Sequence, residues 1–248
     1  MAARSVGLVL FDLDGTLVDH DGAAAAAVEQ WLTGAGLARA ENIAGQVLAW
    51  HEIAERHLPS YRAGKLTFQG QRRARLREFL PLLGIDATAW PDHRLDEMFA
   101  DYLAAYEAAW RCFPDVRPCL DNLSGITRVA ALSNGDQDQQ QDKVTRTGLG
   151  GYLEVVLTSG GLGVAKPHPE IFALACRELG VPPQHTVYVG DRLDVDALAA
   201  TTAGLHGIWL ARTSGNAPPG VEKINTLAQL PPLLYLARSD RTRRHQHQ

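Results

Sequence analysis

Two carboxylates stand directly after the first apolar run of the chain. The stretch "VGLVLFDLDGTLVD" covers residues 6–19, with Asp12 and Asp14 in its second half and Asp19 at its end. Asp12 and Asp14 lean to the same side if the chain stays extended, because alternate side chains of a strand share a face. Carboxylates at the end of a buried strand can attack an electrophile, transfer a proton or bind a hard cation. The pair therefore predicts a reactive strand end.

Later apolar runs are followed by polar side chains in the same way. These runs, rich in Val, Ile and Leu, cover residues 128–132, 153–157, 186–189 and 206–210. The polar residues that follow them are Ser133, Asn134, Lys166, Asp191, Asp194 and Asp196. Ligands of open α/β sheets bind beyond the carboxyl ends of the strands. We therefore expect these side chains to share one crevice with the first two acids.

The runs predict an α/β fold with a Rossmann-like parallel sheet between two layers of helices. Continuous apolar runs are typical of parallel strands that are covered on both faces. Helical patterns at residues 169–180 and 195–204 alternate with the later runs. The first of these patterns begins at Pro169 and ends at Gly180, as proline and glycine usually stand at helix termini.

Residues 18–106 interrupt this alternation and predict a helical insertion. They contain amphipathic stretches separated by Gly or Pro, without a strand pattern, which indicates about four helices. We expect a core formed by residues 1–17 and 107–237, a helical cap at 18–106 and a flexible tail at 238–248. The tryptophans of the insertion are expected in its core, and the basic stretch at 72–77 on a solvated helix face.

Composition narrows the class of protein. The chain has 248 residues, of which 46% are hydrophobic, and a formal net charge of −4. That charge gives no general attraction to nucleic acids or anionic membranes, so neither is expected as a partner. The 3 cysteines form no C-x-x-C pair and predict neither a disulfide framework nor a zinc site. Without a signal-peptide pattern or an apolar stretch that would span a bilayer, we expect a cytoplasmic monomer or homodimer.

The ordered motifs resemble those of the haloacid dehalogenase superfamily, most of whose members are phosphatases. The motifs are "DLDGT" for its D-x-D-G-T, the hydroxyl of "LSNG", the lysine of "AKP" and the acidic "GDRLDVD". The resemblance covers nearly the whole chain and implies the phosphatase branch with a helical cap inserted after the first motif. It also implies a Mg²⁺ ion held by the carboxylates of Asp12 and Asp191 and by the backbone carbonyl of Asp14. The usual spacing of the family favours Asp196 over Asp194 as the further acid of the site.

The same residues suit phosphoryl transfer on chemical grounds. Asp12 supplies a carboxylate nucleophile that would form an aspartyl-phosphate, and Asp14 would protonate the leaving oxygen and then activate water. That role requires a proton on Asp14 near neutral pH, which a crowded acidic crevice would favour. Ser133, Asn134 and Lys166 are the expected phosphate ligands, and Ser133 and Lys166 are counted among the catalytic residues. Oxygen ligands and a phosphate partner favour Mg²⁺.

The predicted function is the hydrolysis of a small phosphomonoester metabolite, such as a nucleotide or a sugar phosphate. Asp14 argues against dehalogenation and phosphonate hydrolysis, because family members with those activities depart from the motif at this position. A sugar phosphomutase would keep the same motifs and stays an alternative, as does a protein that binds phosphate ligands without catalysis. The cap is expected to close over the crevice about hinges near residues 18–22 and 111–114.

Overall fold

A computed structural model describes residues 6–62, 64–213 and 215–235, so the predicted tail at 238–248 lies outside the described residues. The chain forms two compact units. One comprises the described residues up to Asp19 and from Arg111 onwards, and the other is His20–Trp110. The boundaries predicted from the sequence lie a few residues earlier in the chain. Within the described ranges, no helix has both the length and the apolar character needed to cross a membrane.

Six parallel strands form the sheet of the first unit, in the order β3-β2-β1-β4-β5-β6. The strands are β1 Leu8–Phe11, β2 Arg128–Ser133, β3 Val156–Thr158, β4 Thr186–Gly190, β5 His206–Leu210 and β6 Glu222–Ile224. This order is that of a Rossmann-like sheet and confirms the predicted fold class. β6 has no counterpart among the apolar runs, because Glu222 and Lys223 occupy most of it.

Helices connect the strands and make up the second unit. They are α1 His20–Gly34, α2 Ile43–Arg62, α3 Phe68–Phe79, α4 Asp92–Ala108, α5 Val116–Leu123, α6 Gln137–Arg146, α7 Ser159–Leu162, α8 Pro169–Glu178 and α9 Ala199–Thr202. Short 3₁₀ turns lie at Ala40–Asn42, Leu80–Leu83, Pro183–His185 and Leu227–Gln229, and a π-helical turn at Leu193–Leu198 directly precedes α9. The four helices predicted for the insertion correspond to α1–α4.

Strand β1 lies in the interior of the sheet, between β2 and β4. Its side chains alternate between two apolar clusters, with Val9 and Phe11 in one and Leu8 and Leu10 in the other. All four side chains are fully buried. Burial on both faces explains why the run is apolar without interruption. It also places Asp12, the next residue, near the middle of the carboxyl edge of the sheet.

The second unit packs its four long helices around aromatic side chains. Trp50 is 1% exposed, and its ring centroid lies 4.7 Å from that of Tyr102 and 5.0 Å from that of Phe79. Trp31 and Trp110 are buried in the same cluster. Trp31, Trp50 and Trp110 therefore form core, as the helical spacing predicts, whereas Trp90 is only partly buried against the cluster.

The basic stretch of α3 is less solvated than the sequence pattern predicts. Arg73 forms ion pairs with Asp92 and Asp96 of α4. Arg75 lies over the ring of Trp50, with its guanidinium carbon 4.3 Å from the ring centroid, and its Nε is buried. The arginines thus divide between ion pairs and an aromatic face, where a guanidinium is attracted by the ring quadrupole.

Candidate active site

The carboxyl ends of three neighbouring strands bring the predicted residues together. Asp12 follows β1, Ser133 ends β2 and Asp191 follows β4. β2 and β4 flank β1 on opposite sides, and all three strands are parallel. The chain runs from β1 to β2 and β3 on one side of β1 and then crosses to β4 on the other side, and ligands of such sheets bind in the crevice where the strand order reverses in this way.

Lys166 forms the buried centre of the site. It is 2% exposed, and its Nζ donates hydrogen bonds to Asp12 Oδ1 at 2.8 Å and to Asp196 Oδ1 at 2.7 Å. A third bond goes to the hydroxyl of Tyr188 at 2.8 Å, which in turn donates to the carbonyl of Leu132 at 2.8 Å. Burial alone lowers the pKa of Lys166, but the two carboxylates outweigh it, and the net shift is upward. Lys166 is therefore a fixed positive charge beside Asp12.

Carboxylates outnumber the ammonium in this cluster. Oxygens of Asp12, Asp191 and Asp196 lie within 4.8 Å of one another. Burial raises the pKa of Asp12 to about 6 against the opposing effect of Lys166. Burial, followed by the charges of Asp12 and Asp196, raises the pKa of Asp191 to about 8. Both shifts show that ionised carboxylates are unfavourable at this buried position and that the single positive charge of Lys166 does not fully compensate them.

This donor set fits a hard divalent cation such as Mg²⁺. The cluster offers carboxylate oxygens, which Mg²⁺ prefers, and its excess negative charge is what a cation would balance. Asp12 and Asp191 belong to the predicted metal set, and Asp196 joins them in space. The backbone carbonyl of Asp14 as a further ligand stays a prediction.

The turn after Asp12 requires a glycine. Gly15 adopts a φ of +83°, and its N–H donates to the carbonyl of Val18 at 2.9 Å. A Cβ at this position would lie 2.5 Å from Asp191 Oδ2. Gly15 thus provides a left-handed conformation and also the space that lets the Asp191 carboxylate approach the first loop.

Asp14 is held by two donors from α6. Lys143 Nζ lies 2.5 Å from Asp14 Oδ1, and Gln140 Nε2 lies 2.8 Å from Asp14 Oδ2. The sequence predicts that other acids crowd this side chain. Helix α6 thus places an ammonium and an amide on the two carboxylate oxygens of Asp14. The charge of Asp14 also contributes to the raised pKa of Asp12, so the acids are neighbours, and a proton on Asp14 near neutral pH stays a prediction.

Ser133 and Asn134 lie at the end of β2 with different partners. Ser133 is 1% exposed, and its Oγ accepts a hydrogen bond from Gln140 Nε2 at 3.1 Å. The Asn134 side chain donates to the carbonyl of Lys166 and accepts from its N–H, both at 2.8 Å. This amide therefore positions the loop that carries Lys166, and phosphate binding by Asn134 stays a prediction that its backbone N–H would have to fulfil.

Comparison with known proteins identifies the family. A model described as a haloacid dehalogenase-like hydrolase matches residues 6–204. The chain belongs to this family. Glyceraldehyde 3-phosphate phosphatase from Methanopyrus kandleri is 40% identical over 101 residues, which cover 40% of this chain and 43% of that protein. Pyrimidine 5'-nucleotidase YjjG from Escherichia coli is 28% identical over 171 residues, 68% of this chain and 72% of that protein.

A solved structure supports the same family. The crystal structure of 2-haloacid dehalogenase from Pseudomonas syringae pv. Tomato matches with a TM-score of 0.65 and 30% identity, over 93% of this chain and 98% of that chain. Sequence relatives of this hydrolase thus include named phosphatases, and its structural relatives include a dehalogenase. The match to the Methanopyrus phosphatase spans less than half of that protein.

The two later acids of the hydrolase have different surroundings. Asp196 is fully buried, and its Oδ2 accepts the N–H of Arg192 at 3.0 Å in addition to the contact of Oδ1 with Lys166. Asp194 is exposed. The π-helical turn between Leu193 and Leu198 turns Asp196 inward. This geometry agrees with the ranking of Asp196 over Asp194.

Three residues of the site do not emerge from the sequence motifs. Tyr188 lies inside β4, where an aromatic residue of an apolar run predicts core packing. Gln140 and Lys143 lie inside α6. The sequence contains one indication of their position. Gln140 and Lys143 lie on the same face of the helix as the apolar Val144, so the face that packs inward also carries an amide and an ammonium.

Proposed function

We propose that this hydrolase is a Mg²⁺-dependent phosphatase that acts on a small phosphomonoester, such as a nucleotide or sugar phosphate. The observation that carries the proposal is that the carboxylates of Asp12 and Asp14 have different partners. Asp12 lies beside a fixed ammonium and two further carboxylates, whereas Asp14 is held separately by donors from α6. Asp12 can thus act as the nucleophile towards phosphorus while Asp14 acts as the general acid and base.

In the first step, an oxygen of the Asp12 carboxylate attacks phosphorus and the ester P–O bond breaks. Asp14 gives its proton to the leaving alcohol oxygen. In the second step, Asp14 takes a proton from water, the water oxygen attacks the aspartyl-phosphate, and inorganic phosphate leaves Asp12 free. The same residue serves as acid and base, so the cycle returns every proton.

The remaining residues would bind and neutralise the phosphoryl group. Lys166 places its positive charge 2.8 Å from the nucleophile, where the negative charge of the transition state would gather. Ser133 presents its hydroxyl from the end of β2. A bound Mg²⁺ would neutralise charge on the phosphate and on the carboxylates. The carboxylates of Asp12 and Asp191 and the backbone carbonyl of Asp14 would hold it, with Asp196 beside them.

The likeness to the Pseudomonas dehalogenase favours 2-haloacid hydrolysis as a second candidate. That reaction also uses a carboxylate nucleophile, but its leaving halide needs no proton. Asp14, together with the two residues that hold it, has no evident task in such a reaction. The phosphatase therefore explains more of the site.

The test measures two products from the same purified protein. Release of inorganic phosphate is measured with a panel of nucleotide and sugar phosphates and with 4-nitrophenyl phosphate, and release of halide is measured with 2-chloropropionate. We expect phosphate release that EDTA abolishes and Mg²⁺ restores, and that Asp12→Asn eliminates. Halide release without phosphate release would overturn the proposal. Phosphate release that persists in Asp12→Asn would overturn the covalent mechanism.

The free thiols of the chain support a reducing environment for this activity. Cys112, Cys119 and Cys176 are all unpaired, and Cys119 and Cys176 are buried. Burial raises the pKa of Cys119 to about 12, so this thiol stays protonated and unreactive. We propose the cytoplasm as the site of action.

A further inference from the structure

The inner face of α6 carries a buried ammonium. Lys143 is 1% exposed and is among the largest fully buried side chains of the described residues. Gln140, one helical turn earlier, is 3% exposed. An amphipathic helix that packs on a sheet needs only apolar residues at such positions. Burial of an ammonium instead costs free energy unless a carboxylate compensates it.

Asp14 is the carboxylate that compensates it. Lys143 contacts its Oδ1 at 2.5 Å and Gln140 contacts its Oδ2 at 2.8 Å, so both oxygens of Asp14 have a donor from α6. The Asp14 side chain is itself 24% exposed, and water alone would leave it free to change rotamer. Two donors on one rigid helix instead fix both its position and the plane of its carboxylate.

Gln140 also connects Asp14 to the predicted phosphate site. The same Nε2 that contacts Asp14 lies 3.1 Å from Ser133 Oγ. The Gln140 Oε1 is buried and has no hydrogen-bond partner. An amide with an unpaired buried oxygen carries a cost that a merely structural residue would not need to carry. The contacts of Gln140 with Asp14 and Ser133 explain why the amide is kept at this position despite that cost.

We propose that Lys143 and Gln140 are positioning residues that hold Asp14 where it protonates the leaving oxygen and then receives the proton of water. The inference rests on the proposed phosphatase function. Proton transfer depends steeply on the placement of the acid, and a misplacement of about 1 Å costs about a hundredfold in rate.

The test separates substrates by their need for a proton. An aryl phosphate releases a stable phenolate that departs without an acid, whereas an alkyl phosphate requires one. For Lys143→Met we expect kcat/KM to fall about a hundredfold with an alkyl ester such as a sugar phosphate and by less than about threefold with 4-nitrophenyl phosphate. Lys143→Arg should recover part of the alkyl activity. Gln140→Met should also lower the ratio of alkyl-ester to aryl-ester activity.

Two controls make the comparison specific. Arg146→Met removes a basic residue from the exposed part of the same helix, where it pairs with Asp142, and should leave the ratio of alkyl to aryl activity unchanged. In an Asp14→Asn background, Lys143→Met should no longer change that ratio, because the residue that it positions is already disabled.

Equal losses with alkyl and aryl esters in a folded Lys143→Met protein would overturn the inference. If Lys143→Met does not fold, Lys143→Arg and Gln140→Met carry the same comparison, and unchanged ratios in both would overturn it as well. Failure of the proposed function is a separate result: the parent protein would then release no phosphate from either ester.

Discussion

Asp191→Asn should stabilise the metal-free protein and remove its response to Mg²⁺. Burial and the neighbouring carboxylates raise the pKa of Asp191 from 3.8 to about 8. Between these values the folded chain keeps a proton on Asp191 that the unfolded chain has lost. The unfolded state therefore binds fewer protons, and the free energy of unfolding falls as pH rises through this window. Asparagine is uncharged in both states and removes this loss.

The size of the effect follows from the shift. At pH 7 the unfolded carboxyl is roughly 3 pH units above its pKa, and each unit corresponds to about 1.4 kcal/mol, which sets an upper limit of about 4 kcal/mol. Water reaches part of the Asp191 side chain and screens its neighbours, so we expect about half of that limit, or about 2 kcal/mol. For a chain of this length, the variant should melt about 4–8 °C higher at pH 7 in EDTA.

Scanning calorimetry of the parent and the variant in EDTA at pH 5, 7 and 8 measures this. The difference in Tm should be small at pH 5, grow towards pH 8 and be confined to the transition of the unit that carries Asp191. Mg²⁺ should raise the Tm of the parent, because it binds only the folded state, and that of the variant far less. Asp194→Asn, three residues further along the chain and exposed, is the matched control.

Two results would refute this reasoning. An Asp191→Asn protein that melts with the parent in EDTA at both pH 5 and pH 8 would show that burial and the neighbouring carboxylates do not raise the pKa of Asp191. A Mg²⁺-induced increase in Tm that is equal in parent and variant would remove Asp191 from the metal site.

Three further substitutions test the structure around the site and in the helical unit. Gly15→Ala should abolish the Mg²⁺-induced rise in Tm, because its Cβ would lie 2.5 Å from Asp191 Oδ2; an unchanged rise in calorimetry would contradict this. Trp50→Ala should cost about 3–5 kcal/mol in urea unfolding of the helical unit, since the ring is fully buried, and a cost below about 1 kcal/mol would contradict its place in the core. Arg212→Met removes two contacts of 3.0 Å to Asp115 and should lower the free energy of unfolding by about 2 kcal/mol. Arg146→Met, an exposed pair, is its control and should change stability by less than about 0.5 kcal/mol.

Strands in the interior of the sheet could be predicted because both of their faces are buried. The runs at Leu8–Phe11 and Thr186–Gly190 are apolar at nearly every position for this reason. The edge strand Glu222–Ile224 pairs on one side only, and its partly exposed residues are free to be charged. Leu153 illustrates the opposite error: it is buried and apolar, yet it lies in the loop before β3, because burial alone does not make a strand.

The same distinction separates the site residues that the sequence predicts from those that it does not. Asp12, Ser133 and Asp191 stand where strands end, and a polar residue after an apolar run is conspicuous. Lys143 and Gln140 are inside a helix whose other residues are mostly polar, so nothing in their type marks them. Within the sequence, only their helical spacing from the apolar Val144 indicates that they point inward. The fold then shows that both contact the Asp14 carboxylate.

This difference has a physical cause that bears on how the site works. The backbone of residues at strand ends is fixed by the sheet itself. Asp14 lies three residues after the end of β1, in a loop that turns at Gly15, and its carboxylate has no strand to hold it. A side chain that must meet a leaving oxygen and later a water molecule requires support from another element. Helix α6 supplies that support from a distance of more than a hundred residues in sequence, which is why no local motif could reveal it.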